Sequence, residues 1–442
     1  MKFPSKLPQK PFELLERFAR QYVQRYATRL KLHPAAGRRI PKELRPQNIA
    51  ALANRFPRGL KDPGFAYLLE QIDDGPMYST RYVQLFFQGE AAFQSAVEAI
   101  QNATHEILVQ SYILRDDETG KGLLELLEAA ADRGVKVKVL ADAIGSWTTK
   151  QRFWDQMQAR GIEARLFHPL LTHLKYFNIR DHRKIMVVDR TIAFTGGMNI
   201  GDEYGSLLRK RLKIRTLRDT HARSEGELAQ AMAAVFEESW RRAGGSPLPE
   251  LPFFPEITAV GPRVLVMDTR FGRGQIEAIS TLVAIAAAAR ERLWITNAYF
   301  APRHFGIDVL TETARRGIDV RLLLPGVSDV PLVRHAGHGC FRELLENGVR
   351  IFEYQKAVLH AKTIVADDFI SVVGSSNLDS RSLFFNAECS WAILDRTVAQ
   401  AMVLAFENDL NFAREIKLDD WRARTLLHKA GDKLAHQLSP FL

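Results

Sequence analysis

The chain repeats itself, and that limits what it can become. "RGVKVKVLAD" from residue 133 is matched by "RGIDVRLLLP" from residue 316. Each copy sits in the same run of alternating elements. In the first run the pattern predicts a strand at "EILVQSYIL", a helix over "GKGLLELLEAAADRG" and a strand at "VKVKVLAD". A helix at "KQRFWDQMQARG" and a strand at "EARLFHP" follow, then a strand pair, "KIMVVD" and "TIAFTGG", turning at Asp189 and Arg190. In the second run the strands are "RVLVMD", "RLWITNAYF", "IDVRLLLP" and "VRIFEY", then the pair "KTIVAD" and "FISVVGSS". Strands alternating with amphipathic helices indicate α/β architecture. Two such units in one chain predict two similar halves, packed face to face. The expected boundaries are 86–245 for the first half, 246–261 for a Gly/Pro-rich linker, 262–415 for the second half and 416–442 for a helical tail. Residues 1–85 are expected to be a basic N-terminal segment, with 34–75 an irregular connector with short helices.

The duplication extends to residues that carry chemistry. "DHRKIMVVDRTIAFTGGMNI" (181–200) and "LHAKTIVADDFISVVGSSNLDSRS" (359–382) both read H-x-K-x4-D. Gly196 and Gly374 each lie 14 positions after their histidine, and Asn199 and Asn377 each lie 17 after. One such motif arises by chance; two in equivalent places do not. Residues i and i+2 of a strand share a face, so His182 and Lys184 project together, as do His360 and Lys362. The returning strand ends at a glycine, where a ligand can approach the backbone. Two imidazoles, two ammonium groups and two amides can then surround one phosphate. One histidine attacks phosphorus while the other protonates the leaving oxygen. Lys184, Asn199, Lys362 and Asn377 are the expected phosphate-binding groups. This chemistry needs no metal and no cofactor, and none is expected.

The charge map points to a partner. Residues 1–60 hold 14 Lys and Arg against 3 Asp and Glu, net +11, while the rest of the chain, with 47 against 48, is net −1. Within "PFELLERFARQYVQRYATRLKL", Leu15, Phe18, Tyr22 and Tyr26 fall on one helical face and arginines on the other. A basic amphipathic helix with aromatics suits an anionic membrane surface; packing on the body is the alternative. The run "RKRLKIRTLR" (209–218) is a second cationic stretch, suited either to gripping an anionic headgroup or to lying solvated. No apolar run approaches the roughly 20 residues of a membrane-spanning helix; "TLVAIAAAA" reads as a core helix. Two cysteines exclude a disulfide framework and a zinc cluster. A cytoplasmic, peripherally membrane-associated protein without signal peptide is expected. His221, His335 and His338 are read as structural or loop residues, not metal ligands.

The motifs "RDHRKIMVVD", "GGMNIGDEY", "RDTH", "SDVPLVRHA", "LHAKTIVAD", "GSSNLDSRS" and "NAE" resemble those of the phospholipase D superfamily, the HKD enzymes, and within it the bacterial cardiolipin synthases. The resemblance covers roughly residues 86–415. It implies two phospholipase D-like α/β/α sandwich halves and a covalent phosphatidyl-histidine intermediate. The catalytic set it implies is His182, Lys184, Asp189, His360, Lys362 and Asp367. His182 takes the role of nucleophile and His360 that of general acid, then base; the halves are alike enough that the reverse assignment stays open. Asp189 and Asp367 lie a full strand from their histidines and are expected to hold the strand turn. The resemblance also assigns Asp219 and Glu388 as carboxylates that orient an imidazole. Cardiolipin synthases often begin with two membrane-spanning helices; this chain shows none, which leaves substrate identity more open. The implied activity is phosphatidyl transfer between two phosphatidylglycerol molecules. Phospholipid hydrolysis, nuclease action and a non-enzymatic scaffold are the competing readings; a body of net charge −1 disfavours nucleic acid.

Overall fold

The computed structural model describes residues 44–169, 179–205, 217–250, 261–269, 275–437 and 439. Fifteen strands occur among them: β1 (Tyr78–Phe86), β2 (Glu106–Ser111), β3 (Lys136–Asp142), β4 (Glu163–Phe167), β5 (Ile185–Val188), β6 (Ile192–Gly196), β7 (His221–Gly226), β8 (Arg263–Thr269), β9 (Arg292–Asn297), β10 (Asp319–Pro325), β11 (Arg350–Tyr354), β12 (Lys362–Ala366), β13 (Ile370–Gly374), β14 (Glu388–Leu394) and β15 (Ala413–Ile416). The strands β4-β3-β2-β5-β6-β7-β1 form the first half, and β11-β10-β9-β12-β13-β14-β8 form the second in the same order, with β15 added at its edge. The equivalent strands β1 and β8 pair antiparallel at Tyr78–Val264 and Ser79–Arg263, joining the halves. Within each half three strands are parallel and the motif hairpin is antiparallel, as the repeated pattern predicts.

Three apolar cores separate the layers. One lies outside the first sheet, against the helices Gly89–Gln101, Glu118–Asp132 and Gln151–Ala159. A second lies outside the second sheet. The third lies between the halves. There Phe236 and Trp240 of the helix Leu228–Arg242 and Phe406 of the helix Arg396–Leu410 pack with Val187, Val264 and Trp391 from both sheets. The halves are thus one folded body, not two beads on a linker.

The structure moves two boundaries. The first half begins at β1, inside the segment expected to be leader, because Thr80, Leu85 and Phe86 complete its edge against β7. Residues 44–73 carry short helices (Ile49–Ala53 and Pro63–Asp73), as expected of 34–75, but they are packed rather than a connector. Ile49, Leu52, Phe56, Phe65 and Leu69 are buried against the second half's outer core. Their partner is the helix Gln275–Ala288, whose "LVAIAAA" side chains are buried all round because the sheet covers one side and residues 44–69 the other. Arg290 fastens this cover by donating to the carbonyls of Ala53 (3.0 Å) and Phe56 (2.5 Å). The amphipathic stretch over residues 15–31 lies outside the described residues. Among the described residues no helix is long and apolar enough to cross a membrane, and both cysteines are buried and unpaired.

Candidate active site

The antiparallel registers Gln110–Ile185 and Asn297–Lys362 set the start of each motif hairpin beside the C-terminal end of a central parallel strand. His182 and Lys184 occupy the residues just ahead of β5, and Lys362 opens β12. All four motif side chains are buried. The glycines at the ends of β6 and β13 are needed for close passage. A Cβ on Gly374 would sit 2.0 Å from the Ser390 hydroxyl, and one on Gly196 would meet the Thr220 carbonyl at 2.5 Å.

Each histidine takes its carboxylate from the opposite half. His182 Nδ1 lies 2.9 Å from a Glu388 oxygen, and His360 Nδ1 lies 2.7 Å from Asp219. The backbone braces both crossings. His182 N–H donates to Ala387 C=O, and His360 N–H to Arg218 C=O, each at 2.8 Å, through short parallel bridges Asp181–Ala387 and Arg218–Leu359. A carboxylate only accepts, so each Nδ1 carries a proton, which leaves each Nε2 as the ring atom for the substrate. Arg218, at the end of the cationic 209–218 run, also crosses the interface to Asp409 (2.6 Å). Its charge therefore serves the fold; residues 209–216 of that run lie outside the described residues.

Burial and mutual repulsion govern protonation. Burial, outweighing the attraction of Glu388 and helped by Lys184, pushes His182 down to about 4. His360 is also lowered, by burial and then by Lys362. Lys184 falls to about 7 and Lys362 to about 8, burial being the main cause in each. Burial alone would raise Asp219 and Glu388; His360 and Lys362 beside the first, and His182 and Lys184 beside the second, bring both below the usual carboxylate range. Lys184 Nζ donates to the His182 carbonyl at 2.6 Å, and Lys362 Nζ to that of His360. Lys362 Nζ also lies 2.9 Å from His360 Nδ1. That approach sets two donors together once Nδ1–H serves Asp219, and it is repulsive.

Asp189 and Asp367 stand away from the imidazoles. Asp189 accepts from the backbone N–H of Thr104, His105 and Glu106 at 2.7–2.9 Å, and Asp367 from Arg290, Glu291 and Arg292 at 2.9–3.2 Å. Both sit at positive φ (50° and 46°) in the hairpin turns and clamp the chain entering β2 and β9. They touch no motif histidine or lysine; the structure instead sets His182, Lys184, His360 and Lys362 with the two crossing carboxylates. Asn199 accepts from Ile113 N–H (3.1 Å) and donates to the Tyr204 hydroxyl (2.7 Å). Asn377 reaches Ser382 at 3.4 Å. His221 opens β7, half-buried, and desolvation lowers it to about 4. His335 and His338 lie on the helix Pro331–Glu346 and face Asp432 of the helix Leu426–Gln437, at 2.9 and 3.5 Å.

Sequence reasoning missed the aromatic frame. Tyr112 meets the His182 ring edge-on at 4.9 Å, while Tyr299 and Tyr204 meet His360 at 5.9 and 5.4 Å. The signal was present, because "QSYIL" and "TNAYF" place Tyr112 and Tyr299 after equivalent strands. Also missed were Ser375 and Ser382, whose hydroxyls both donate to Glu388.

The family described as cardiolipin synthase, PLD-like domain, matches residues 96–240 and 282–410, one segment in each half. The chain belongs to that family. Its relatives include cardiolipin synthase A of Pseudomonas putida, 34% identical over 83% of this chain and 76% of that one. Cardiolipin synthase of Geobacillus kaustophilus is 32% identical over 96% and 84%, and cardiolipin synthase 1 of Bacillus anthracis 30% over 92% and 81%. The fold matches the crystal structure of phosphatidylserine synthase from Haemophilus influenzae with a TM-score of 0.65 at 16% identity, over 85% of this chain and 97% of that one.

Proposed function

We propose that this family member is a phosphatidyltransferase that joins two phosphatidylglycerol molecules into cardiolipin and glycerol, working at a membrane surface. The observation that carries the mechanism is the crossed pair His182–Glu388 and His360–Asp219. His182 Nε2 attacks the donor phosphorus. The bond from phosphorus to the glycerol oxygen breaks, and His360 gives that oxygen its proton. The headgroup hydroxyl of the second lipid then loses a proton to His360 and attacks phosphorus. The phosphorus–nitrogen bond breaks, releasing cardiolipin and restoring His182.

Charge supports these roles. Burial and Lys362 oppose a proton on His360; the bound phosphodiester monoanion offsets that opposition and lets His360 carry the proton that the acid role needs. Burial leaves His182 neutral near pH 7, as a nucleophile needs. Glu388 spreads its charge over two serine hydroxyls as well as His182. Asp219 accepts one other hydrogen bond, from Thr220 N–H at 2.7 Å. The less divided carboxylate favours imidazolium at His360 over His182, which suits His360 to the acid role. Asp189 and Asp367 hold the scaffold. A basic leader docking on anionic lipid fits the same reading.

The test is incubation with phosphatidylglycerol vesicles followed by mass analysis of the lipids. Cardiolipin with stoichiometric glycerol is expected. Phosphatidic acid would make water the acceptor and the protein a hydrolase; unchanged lipid together with cleaved DNA would make it a nuclease.

A further inference from the structure

Trp147 is the most exposed large apolar side chain among the described residues, at 76%. It sits in the loop that leaves the C-terminal end of β3. The loop leaving β10, the strand equivalent to β3, exposes Val327 and Val330, and the first turn of the helix Pro331–Glu346 after it exposes Leu332, at 38–44%. Burying an apolar side chain is the ordinary outcome, so matched exposure in two related loops calls for a partner.

Both loops lie over the site. Ser146, beside Trp147, accepts from Leu114 N–H at 3.0 Å and donates to the Tyr112 carbonyl at 3.3 Å. Gly145 passes so close that a Cβ there would lie 2.0 Å from that carbonyl oxygen. In the other loop Asp329 accepts from the Tyr299 hydroxyl at 2.7 Å. Tyr112 and Tyr299 are the tyrosines that frame His182 and His360. One apolar tip is thus fastened to the wall of each half-site. Exposed Lys150 and Arg152 follow Trp147 in the chain.

We propose that these two loops are the surface on which the enzyme seats itself in an anionic bilayer, mouth down, with Trp147 on one side of the site and Val327, Val330 and Leu332 on the other. This rests on the phosphatidyltransferase reading, because a two-chain lipid must offer its phosphate to a buried site without leaving the bilayer. Tryptophan favours the headgroup boundary, and neighbouring cations add attraction to anionic lipid. Two separated apolar tips suit a fluid surface better than a rigid protein face, which would require one continuous patch.

The experiment uses the full chain and vesicles of phosphatidylglycerol and phosphatidylcholine carrying bromine on the acyl chains. The chain has six tryptophans; Trp154, Trp240, Trp294, Trp391 and Trp421 are buried, so Trp147 dominates the quenching. Vesicle-dependent quenching is expected for the native chain and should be lost in Trp147→Phe. Co-sedimentation should show affinity falling about tenfold or more in Trp147→Ser and in Val327→Ser/Val330→Ser/Leu332→Ser. Turnover of monomeric short-chain phosphatidylglycerol should stay unchanged in both, which also reports that they fold. Equal quenching with and without Trp147, or unaltered vesicle affinity in both serine variants, overturns the proposal. So does a solution dimer that Trp147→Ser converts to monomer, since a second copy would then cover the tips. Cardiolipin made without Trp147 quenching sinks this inference alone. Quenching without any turnover of phosphatidylglycerol sinks the transferase reading and leaves the docking surface standing.

Discussion

The two half-sites share a plan and differ in how their carboxylates are used. Glu388, which serves His182, also takes the hydroxyls of Ser375 and Ser382. Asp219, which serves His360, has Gly197 where the second half has Ser375. A Cβ on Gly197 would lie 2.1 Å from the Asp219 carboxylate, so a serine cannot stand there. Between histidine and lysine, the first half carries fully buried Arg183, paired with Asp268 (2.5 Å) and Glu238 (3.1 Å), and the second carries Ala361. Duplication supplies two equivalent imidazoles, both lowered by burial; these small divergences give each a differently partnered carboxylate. Acid–base division requires surroundings that treat two titratable groups differently, and the carboxylates are where these two surroundings differ.

The strongest way to break this comparison is to remove each imidazole in turn. His182→Ala and His360→Ala should each lower turnover by about 10⁴-fold or more. They should differ in what accumulates: the His360 variant can still trap phosphorylated enzyme on His182, and the His182 variant traps none. Phosphate found on His360 instead would exchange the roles.

Next in size is the crossing itself. Glu388→Gln and Asp219→Asn should each cost roughly 10²- to 10⁴-fold, as loss of an imidazole's orienting carboxylate does. Pre-steady-state measurement should show Glu388→Gln slowing formation of the phospho-enzyme. Asp219→Asn should slow the proton-dependent release of glycerol more. Were each change to affect the histidine of its own half, the crossed arrangement would be wrong.

A pH profile sharpens the comparison further. His182 gains a proton and loses nucleophilicity as pH falls through about 4, so kcat/KM should drop on that acid side. Lys184 and Lys362 lose their charge as pH rises through about 7 and about 8. The alkaline limb should therefore decline across that range, and Lys184→Arg, while less active, should move its onset upward. A flat profile from pH 6 to 9 would mean the lysines do not carry their charge to the phosphate.

The smallest change expected is that of Ser375→Ala. One hydrogen bond to a buried carboxylate is worth about 1.5 kcal/mol at the low end, or about tenfold in rate. Freed of that donor, Glu388 should hold the His182 proton more firmly, so the acid limb should shift upward. Unaltered rate and unaltered limb together would remove Ser375 from the asymmetry.

Much of this was legible in one dimension. Strand periodicity located the motif hairpins, and the equal spacings from histidine to glycine and asparagine announced two equivalent sites. Those signals are local, and the strand period of two puts His and Lys on one face wherever the hairpin lies. Less legible were residues 44–73, whose Pro and Arg content suggested a connector. Their apolar positions gain meaning only against the all-apolar helix Gln275–Ala288. Tyr112 and Tyr299 likewise look like ordinary strand-end aromatics until the rings of His182 and His360 stand beside them.

The amino-acid order by itself determined the duplicated α/β plan and the paired His-x-Lys positions, because both follow from spacing within a single element. Only the tertiary structure decided which carboxylate serves which histidine. Asp219 and Glu388 lie 141 and 206 residues from the imidazoles they hold. No local propensity connects such positions. They meet because the core between the halves brings the two sheets together and presents each half's carboxylate to the other half's histidine.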